Sequence, residues 1–131
     1  MVVLNQILLE LHTATLAGPV VDQLTGRLSG LVWLDGGHNG GPGTTWVTDR
    51  AVLAHLATVP GLQVRVRVTP YQVRDARRPW IGKEERAFSR VLADCRALDF
   101  ERRLYFDDEE PSIENHFGIL TTLLTDPIGL G

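Results

Sequence analysis

Three short apolar runs, each ending in a dense polar or glycine-rich cluster and followed by a helical pattern, most constrain the fold of this chain. The runs cover residues 31–34, 64–68 and 104–106. Strands that alternate with helices indicate a parallel sheet with right-handed crossovers. Ligands of open α/β sheets bind at the carboxyl ends of the strands, so we expect the three polar clusters to converge there and to carry function.

The pattern predicts a single α/β domain with a small parallel sheet of about three strands and helical crossovers. An N-terminal helix precedes three β-α units that span residues 28–125. The predicted elements are a helix within 1–18, strands over about 28–35, 62–69 and 102–106, and helices capped by Thr48, covering 83–98, and capped by Ser112. The polar segment 70–82 is predicted to be a loop. Both crossover helices should cover one face of the sheet, leaving the other to the N-terminal helix. So sparse a cover is typical of one end of a larger α/β protein.

Composition and the N-terminal sequence make several classes of protein less favoured. A net charge of −3 disfavours a nucleic-acid binder. No apolar stretch approaches a membrane span, and no signal or transit peptide is evident at the N-terminus. The single cysteine, Cys95, cannot form a disulfide within the chain and is predicted to be a buried, inert thiol.

The glycine-rich cluster after the first run contains Gly36, Gly37 and His38. It has neither the spacing of a dinucleotide-binding loop nor that of a P-loop, and no cofactor is predicted. Two interpretations remain. The segment is a flexible connector, or its glycines let the backbone approach a ligand closely.

Arginines crowd the cluster after the second run, where Arg74 and Arg78 flank Asp75 and Trp80 follows. One interpretation is a solvated loop with weak ion pairs. The other is an oriented carboxylate with guanidinium groups that bind an anionic substrate.

A metal site is not predicted. Asp35 and His38 lie close in sequence, but no recognised ligand spacing organises them or the other acidic residues. Metal-dependent hydrolysis through this pair stays open as a third interpretation, which a chelator would test.

His116 lies near the start of the last predicted helix. A helix N-terminus disfavours a protonated imidazole, which suits a neutral general base. A structural histidine is the alternative.

Several motifs resemble one eukaryotic family, called chromosome two open reading frame sixty-nine. They lie at residues 33–41, 45–48, 68–75, 78–84 and 111–117. The resemblance implies the carboxyl-terminal part of an α/β-hydrolase-like fold. It also implies a mitochondrial location, with a cytoplasmic one as the alternative because no targeting signal is evident.

The resemblance also implies roles for three residues. In an α/β hydrolase the nucleophile, the acid and the histidine follow in that order along the chain. Asp75 matches the acid and His116 the histidine, with Asp35 as a competing acid. None of the three serines stands in a G-x-S-x-G elbow. We therefore expect a hydrolase-like protein or fragment that is inactive alone.

The alternative function is a non-catalytic binding or assembly module. Its glycine and arginine loops would bind an unidentified small molecule or protein, and it would associate through an exposed sheet edge.

Overall fold

A computed structural model of the chain describes residues 2–14, 26–37 and 40–127. Three strands, β1 (Gly30–Leu34), β2 (Gln63–Val68) and β3 (Asp99–Leu104), form a parallel sheet in the order β1-β2-β3. The helices are α1 (Val2–Ala14), α2 (Arg50–Ala54), α3 (Pro70–Val73), α4 (Pro79–Asp94), α5 (Ile113–Gly118) and α6 (Thr122–Thr125), and 3-10 turns cover His55–Thr58 and Ile119–Thr121. The predicted α/β class and three-stranded parallel sheet are confirmed.

One face of the sheet carries the hydrophobic core. Side chains alternate across a strand, so Leu31 and Trp33 of β1 point to the same side as Val64 and Val66 of β2. All four are buried. The ring of Phe88, from α4, lies 5.2 Å from the ring of Trp33 and is fully buried. Aromatic and β-branched burial on this face therefore holds α4 against the sheet.

We had expected the N-terminal helix to cover the opposite face of the sheet, and it does not. α1 packs against α2 and the first 3-10 turn, and its Leu8 and Leu11 join the core cluster that includes Trp33. The opposite face presents Val32, Leu34 and the arginines of β2. Part of its cover comes from the end of the chain, where Arg67 donates to the Thr122 carbonyl (2.8 Å) and hydroxyl (2.9 Å) of α6.

Several helix boundaries differ from the sequence prediction. The segment 70–82 is not simply a loop, because α3 lies within it and α4 already begins at Pro79. Proline fits the first turn of a helix, because the backbone N–H groups of that turn have no acceptor within the helix and the N–H that proline lacks is not needed. Asp49 rather than Thr48 caps α2, accepting from the Ala51 amide at 2.8 Å. Ser112 caps α5 as predicted, accepting from the Asn115 amide at 3.1 Å.

Cys95 is half-buried, just past the end of α4, and its thiol donates to the Val91 carbonyl (3.4 Å). It therefore sits at the rim of the core, less enclosed than we predicted. Among the described helices, none combines the length and apolar character needed to cross a membrane.

Candidate functional site

A buried carboxylate–imidazole pair lies where the strands end. Asp35 follows β1 directly, and His116 lies in α5, the helix after β3. Oδ2 of Asp35 is 2.9 Å from Nδ1 of His116. Asp35 is completely buried and His116 is 8% exposed. Residues 81 positions apart in the sequence thus meet at the carboxyl edge of the sheet.

Thr69, the first residue after β2, completes the surroundings of the Asp35 carboxylate. Its amide donates to Oδ1 at 2.6 Å, and its hydroxyl donates to Oδ2. Oδ2 therefore contacts both the Thr69 hydroxyl and the His116 ring, while Oδ1 accepts a hydrogen bond from the Thr69 amide. Donors fixed by the backbone of β2 and by α5 hold this carboxylate in one orientation.

The backbone at Asp35 adopts an unusual conformation. Its φ is +42°, a left-handed value that is uncommon for non-glycine residues and best tolerated by Asp and Asn. The Asp35 amide still bonds to the Arg67 carbonyl (2.8 Å), which continues the ladder between β1 and β2 for one residue. The strand therefore ends in a tight turn that points the carboxylate inward. Backbone strain of this kind clusters at functional sites.

Burial raises the pKa of Asp35 above its ordinary value, because removal from water disfavours the charged form. Hydrogen bonds from Thr69 and His116 oppose that effect by stabilising the carboxylate. The net direction is upward, so the site holds a carboxylate whose charge depends on its two neighbours.

Aromatic rings flank the imidazole of His116. The rings of Tyr71, from α3, and of Phe117 each lie with their centres 5.1 Å from the imidazole centre. The His116 amide bonds to the Ser112 carbonyl (3.1 Å). Tyr71 also lines a cleft of about 220 Å³, together with Arg74, Asp75, Ala76, Arg77 and Pro111. The lining of this cleft includes neither Asp35 nor His116.

Asp75 does not hold His116, which corrects the assignment we preferred from the sequence. Its Oδ2 accepts from Nε of Arg78 (2.8 Å), and its Oδ1 accepts from the Arg77 amide (2.9 Å). The hydrogen bond from Arg78 is the main cause that holds the pKa of Asp75 below its usual value. Asp75 therefore organises its own loop, and the competing acid, Asp35, is the one on the imidazole.

The glycines after Asp35 are buried, and one has a steric reason to be glycine. A Cβ added at Gly37 would lie 2.2 Å from Oε1 of Gln72 and 2.4 Å from Cγ2 of Ile81. The turn at Gly36 and Gly37 therefore packs directly on α3 and α4. His38, the third predicted ligand residue of this loop, lies outside the described residues.

Two of the three arginines in the segment 74–78 are paired with nearby acids. Arg74 pairs with the Asp107 carboxylate and donates to the Asp107 carbonyl at 3.1 Å. Arg78 pairs with Asp75. Nε1 of Trp80 is buried without a hydrogen-bond partner in the described part of the chain. These contacts favour the local ion-pair interpretation of the loop over a dedicated anion site.

Two residues that the sequence analysis missed shape this region. Thr69 is the partner of Asp35 described above. Glu84 of α4, to which the sequence analysis gave no role in the site, is 9% exposed. Its carboxylate accepts from the amides of Gly43 (3.2 Å), Thr45 (3.0 Å) and Trp46 (3.4 Å). The sequence signal for this role was the presence of an acidic residue on the apolar side of a helix. The Glu84 carboxylate fixes the far end of the glycine loop.

A cleft of about 570 Å³ lies elsewhere, between α1 and the glycine loop, with Asn5, Thr44 and Trp46 in its walls. It includes neither Asp35 nor His116. No cluster of three His, Cys, Asp or Glu side chains suited to a metal ion occurs within residues 2–14, 26–37 and 40–127.

The chain is similar to known proteins of one family. Residues 1–98 match the model of a protein family described as C2orf69. The chain is 48% identical over 119 residues to "Mitochondrial protein C2orf69 homolog" of Danio rerio, covering 91% of this chain and 34% of the relative. It is 45% identical over 118 residues to "Mitochondrial protein C2orf69" of Homo sapiens, covering 90% of this chain and 30% of the relative. The chain therefore spans about a third of the length of these relatives. No solved structure matches it.

Proposed function

The chain belongs to the C2orf69 family, and from that premise we propose that it supplies the acid and the histidine of a hydrolase-like catalytic centre. Asp35 is the acid and His116 is the general base. The nucleophile comes from outside this sequence, which contains no G-x-S-x-G elbow. The 2.9 Å contact between Oδ2 of Asp35 and Nδ1 of His116 is the observation that carries the proposal.

The chemistry of the pair supports this role. A carboxylate on Nδ1 selects the imidazole tautomer in which Nδ1 carries the proton, and it stabilises the imidazolium that forms when Nε2 accepts one. Asp35 is well suited because Thr69 fixes both of its oxygens. In the proposed reaction, Nε2 of His116 takes the proton of a serine hydroxyl as the serine oxygen attacks an ester carbonyl. His116 then returns the proton to the leaving alcohol.

Position in the fold supports the proposal as well. Both residues lie at the carboxyl ends of parallel strands, where open α/β sheets carry their sites. A purely structural clamp between β1 and α5 would use the same contact, so the experiment must separate catalysis from stability.

Labelling with a fluorophosphonate probe, which reacts with activated serines, makes that separation in the Danio rerio relative. We expect the relative to be labelled, and substitution of its counterparts of Asp35 by Asn or of His116 by Ala to reduce the labelling rate at least about 100-fold. Substitution of its Asp75 counterpart by Asn is the matched control and should change the rate less than about threefold. Circular dichroism checks that each variant is folded.

The isolated 131-residue chain should show no labelling and no turnover of p-nitrophenyl acetate above buffer. An unlabelled, folded relative would contradict the proposal. So would turnover by the isolated chain that His116→Ala abolishes, because the nucleophile would then lie within this sequence.

A second candidate function is an assembly module, and one observation favours it. The α5–α6 segment exposes a row of large apolar side chains at helical spacing, with Phe117 62%, Leu120 54% and Leu124 86% exposed. Such a row is typical of a surface that packs against another polypeptide. In light scattering after size-exclusion chromatography, a Phe117→Ser/Leu124→Ser variant should be monomeric while the unmodified chain self-associates. A monomeric unmodified chain at high concentration would remove this candidate.

We also propose a mitochondrial location, since the relatives carry the word mitochondrial in their names. Fractionation of the source cells with an antibody against the chain tests it. Enrichment with the mitochondrial matrix or membranes is expected, and recovery in the cytosol alone would contradict it.

A further inference from the structure

The outer side of α4 carries three basic residues at helical spacing. Lys83, Arg86 and Arg90 follow one another at spacings of three and four and are exposed. Within the described residues, none of the three forms an ion pair, and the same holds for Arg27, Arg77 and Arg96. What distinguishes Lys83, Arg86 and Arg90 is that they lie on successive turns of one helix. Like charges four apart on a helix destabilise it. In a chain with a net charge of −3, this stretch therefore stands out.

Two of these arginines line a cleft of about 370 Å³ between α4 and β3, the last strand of the described sheet. Its walls are Arg86, Ser89, Arg90, Ala93, Phe100 and Arg102. Three guanidinium groups thus border one small depression. Phe100 is half-buried and gives the cleft an apolar wall.

A buried carboxylate orients the third guanidinium. Glu85 is completely buried, and its two oxygens accept from Nε and NH2 of Arg102, each at 2.8 Å. Ser89 donates to the same carboxylate at 2.7 Å. This bidentate pair fixes the plane of the Arg102 guanidinium at the cleft wall. Glu85 balances the charge of Arg102, whereas Arg86 and Arg90 form no ion pair with any residue that the structure describes.

We propose that this cleft binds the phosphate group of a phosphate ester. Arg86 and Arg90 supply the charge and the paired N–H donors that suit phosphate oxygens, Arg102 provides a fixed wall, and Phe100 contacts the organic part of the ester. The site is separate from Asp35 and His116 and goes beyond the function proposed for them. The same chemistry serves a soluble phosphate ester and the headgroup of an acidic phospholipid, and the experiment distinguishes these two sources.

Three probes test the site on the 131-residue chain. They are inorganic phosphate, phenyl phosphate, and phosphatidylcholine vesicles with or without phosphatidic acid. We expect saturable changes in the amide NMR signals of residues 86–93 with phenyl phosphate, and weaker binding of inorganic phosphate, which has no apolar part. Retention on phosphatidic acid vesicles but not on pure phosphatidylcholine would assign the site to a lipid headgroup. Binding of phenyl phosphate without retention would assign it to a soluble ester.

The decisive variant is Arg86→Gln/Arg90→Gln, which leaves the Glu85–Arg102 pair intact. It should weaken binding about tenfold or more, since two charge-assisted contacts are lost. The matched control, Arg27→Gln/Arg96→Gln, removes the same charge from exposed positions outside the cleft and should change binding less than about twofold. Equal weakening in both double variants, or no saturable binding of any probe, would overturn the proposal.

Discussion

Asp35 and Asp75 follow neighbouring strands of the same sheet, yet their surroundings are opposite. Asp35 is completely buried, bonded to Thr69 and His116, and burial raises its pKa. Asp75 lies in a polar loop, and the hydrogen bond from Arg78 lowers its pKa. The difference shows that the position of an aspartate after a strand does not determine its burial or its pKa. Both depend on which hydrogen-bond donors the fold brings to the carboxylate.

The comparison is sharpened most by Asp35→Ala. Removal of this carboxylate leaves the Thr69 amide and hydroxyl and the His116 ring without their buried partner, and it places alanine at a positive φ. We expect a loss of about 3 kcal/mol in the free energy of unfolding, measured by urea denaturation. Asp35→Asn keeps the shape and tolerates the same φ, so it should cost less. A loss below about 1 kcal/mol for Asp35→Ala would mean that the pair is not buried as described.

The turn that carries Asp35 gives the next effect. Gly37→Ala would force the new Cβ into Gln72 and Ile81, at a cost of about 2 kcal/mol. Gly41→Ala is the matched control within the same glycine-rich segment, because a Cβ there meets nothing within 4 Å. Its effect should stay within about 0.5 kcal/mol by the same urea measurement. Equal effects of the two substitutions would contradict the close packing of this turn on α3 and α4.

The two carboxylates should also respond to pH in opposite directions. A raised folded-state pKa means that the contribution of Asp35 is fully present below its ordinary value of 3.8 and is lost as pH rises through the folded pKa. A lowered one means that the contribution of Asp75 is present above 3.8 and is lost as pH falls through its folded pKa.

Urea denaturation of the unmodified chain, Asp35→Asn and Asp75→Asn from about pH 3 to about pH 5.5 checks this. The stability difference between the unmodified chain and Asp35→Asn should fall with rising pH, while the difference from Asp75→Asn should grow. Slopes of the same sign would break the comparison.

The smallest effect is expected from Asp75→Asn at neutral pH. Its partner Arg78 has a side chain that is 35% exposed, so solvent weakens their ion pair. We expect a loss of at most about 1 kcal/mol, and an unchanged His116 ring signal in NMR spectra. A shifted His116 signal would indicate a coupling between the two that the geometry does not contain.

Periodicity was enough to predict the sheet, since buried strands and an amphipathic helix each impose a visible repeat on the sequence. It placed Asp35, Asp75 and His116 near one edge for the same reason. It could not choose between the two acids, because that choice depends on a left-handed turn at Asp35 and on donors from Thr69, a residue 34 positions away. The role of Glu84 was missed as well, because its partners are backbone amides of a loop that lacks any recognised motif.

The resemblance to the family was confirmed, and so was the α/β class with its small parallel sheet. It also led us to prefer Asp75 as the partner of His116, whereas the structure places Asp35 against the imidazole. The chain order nucleophile, acid, histidine allows either aspartate, since both precede His116. The contacts that distinguish the two acids, from Thr69 and His116 to Asp35, lie far apart in the sequence.

A double-mutant cycle tests the central claim most directly. The free energies of unfolding of Asp35→Asn, His116→Ala and the double variant should give a coupling energy of about 1.5 kcal/mol or more. The parallel cycle with Asp75→Asn should give less than about 0.3 kcal/mol. The opposite ranking, with Asp75 coupled to His116 and Asp35 independent of it, would contradict the account.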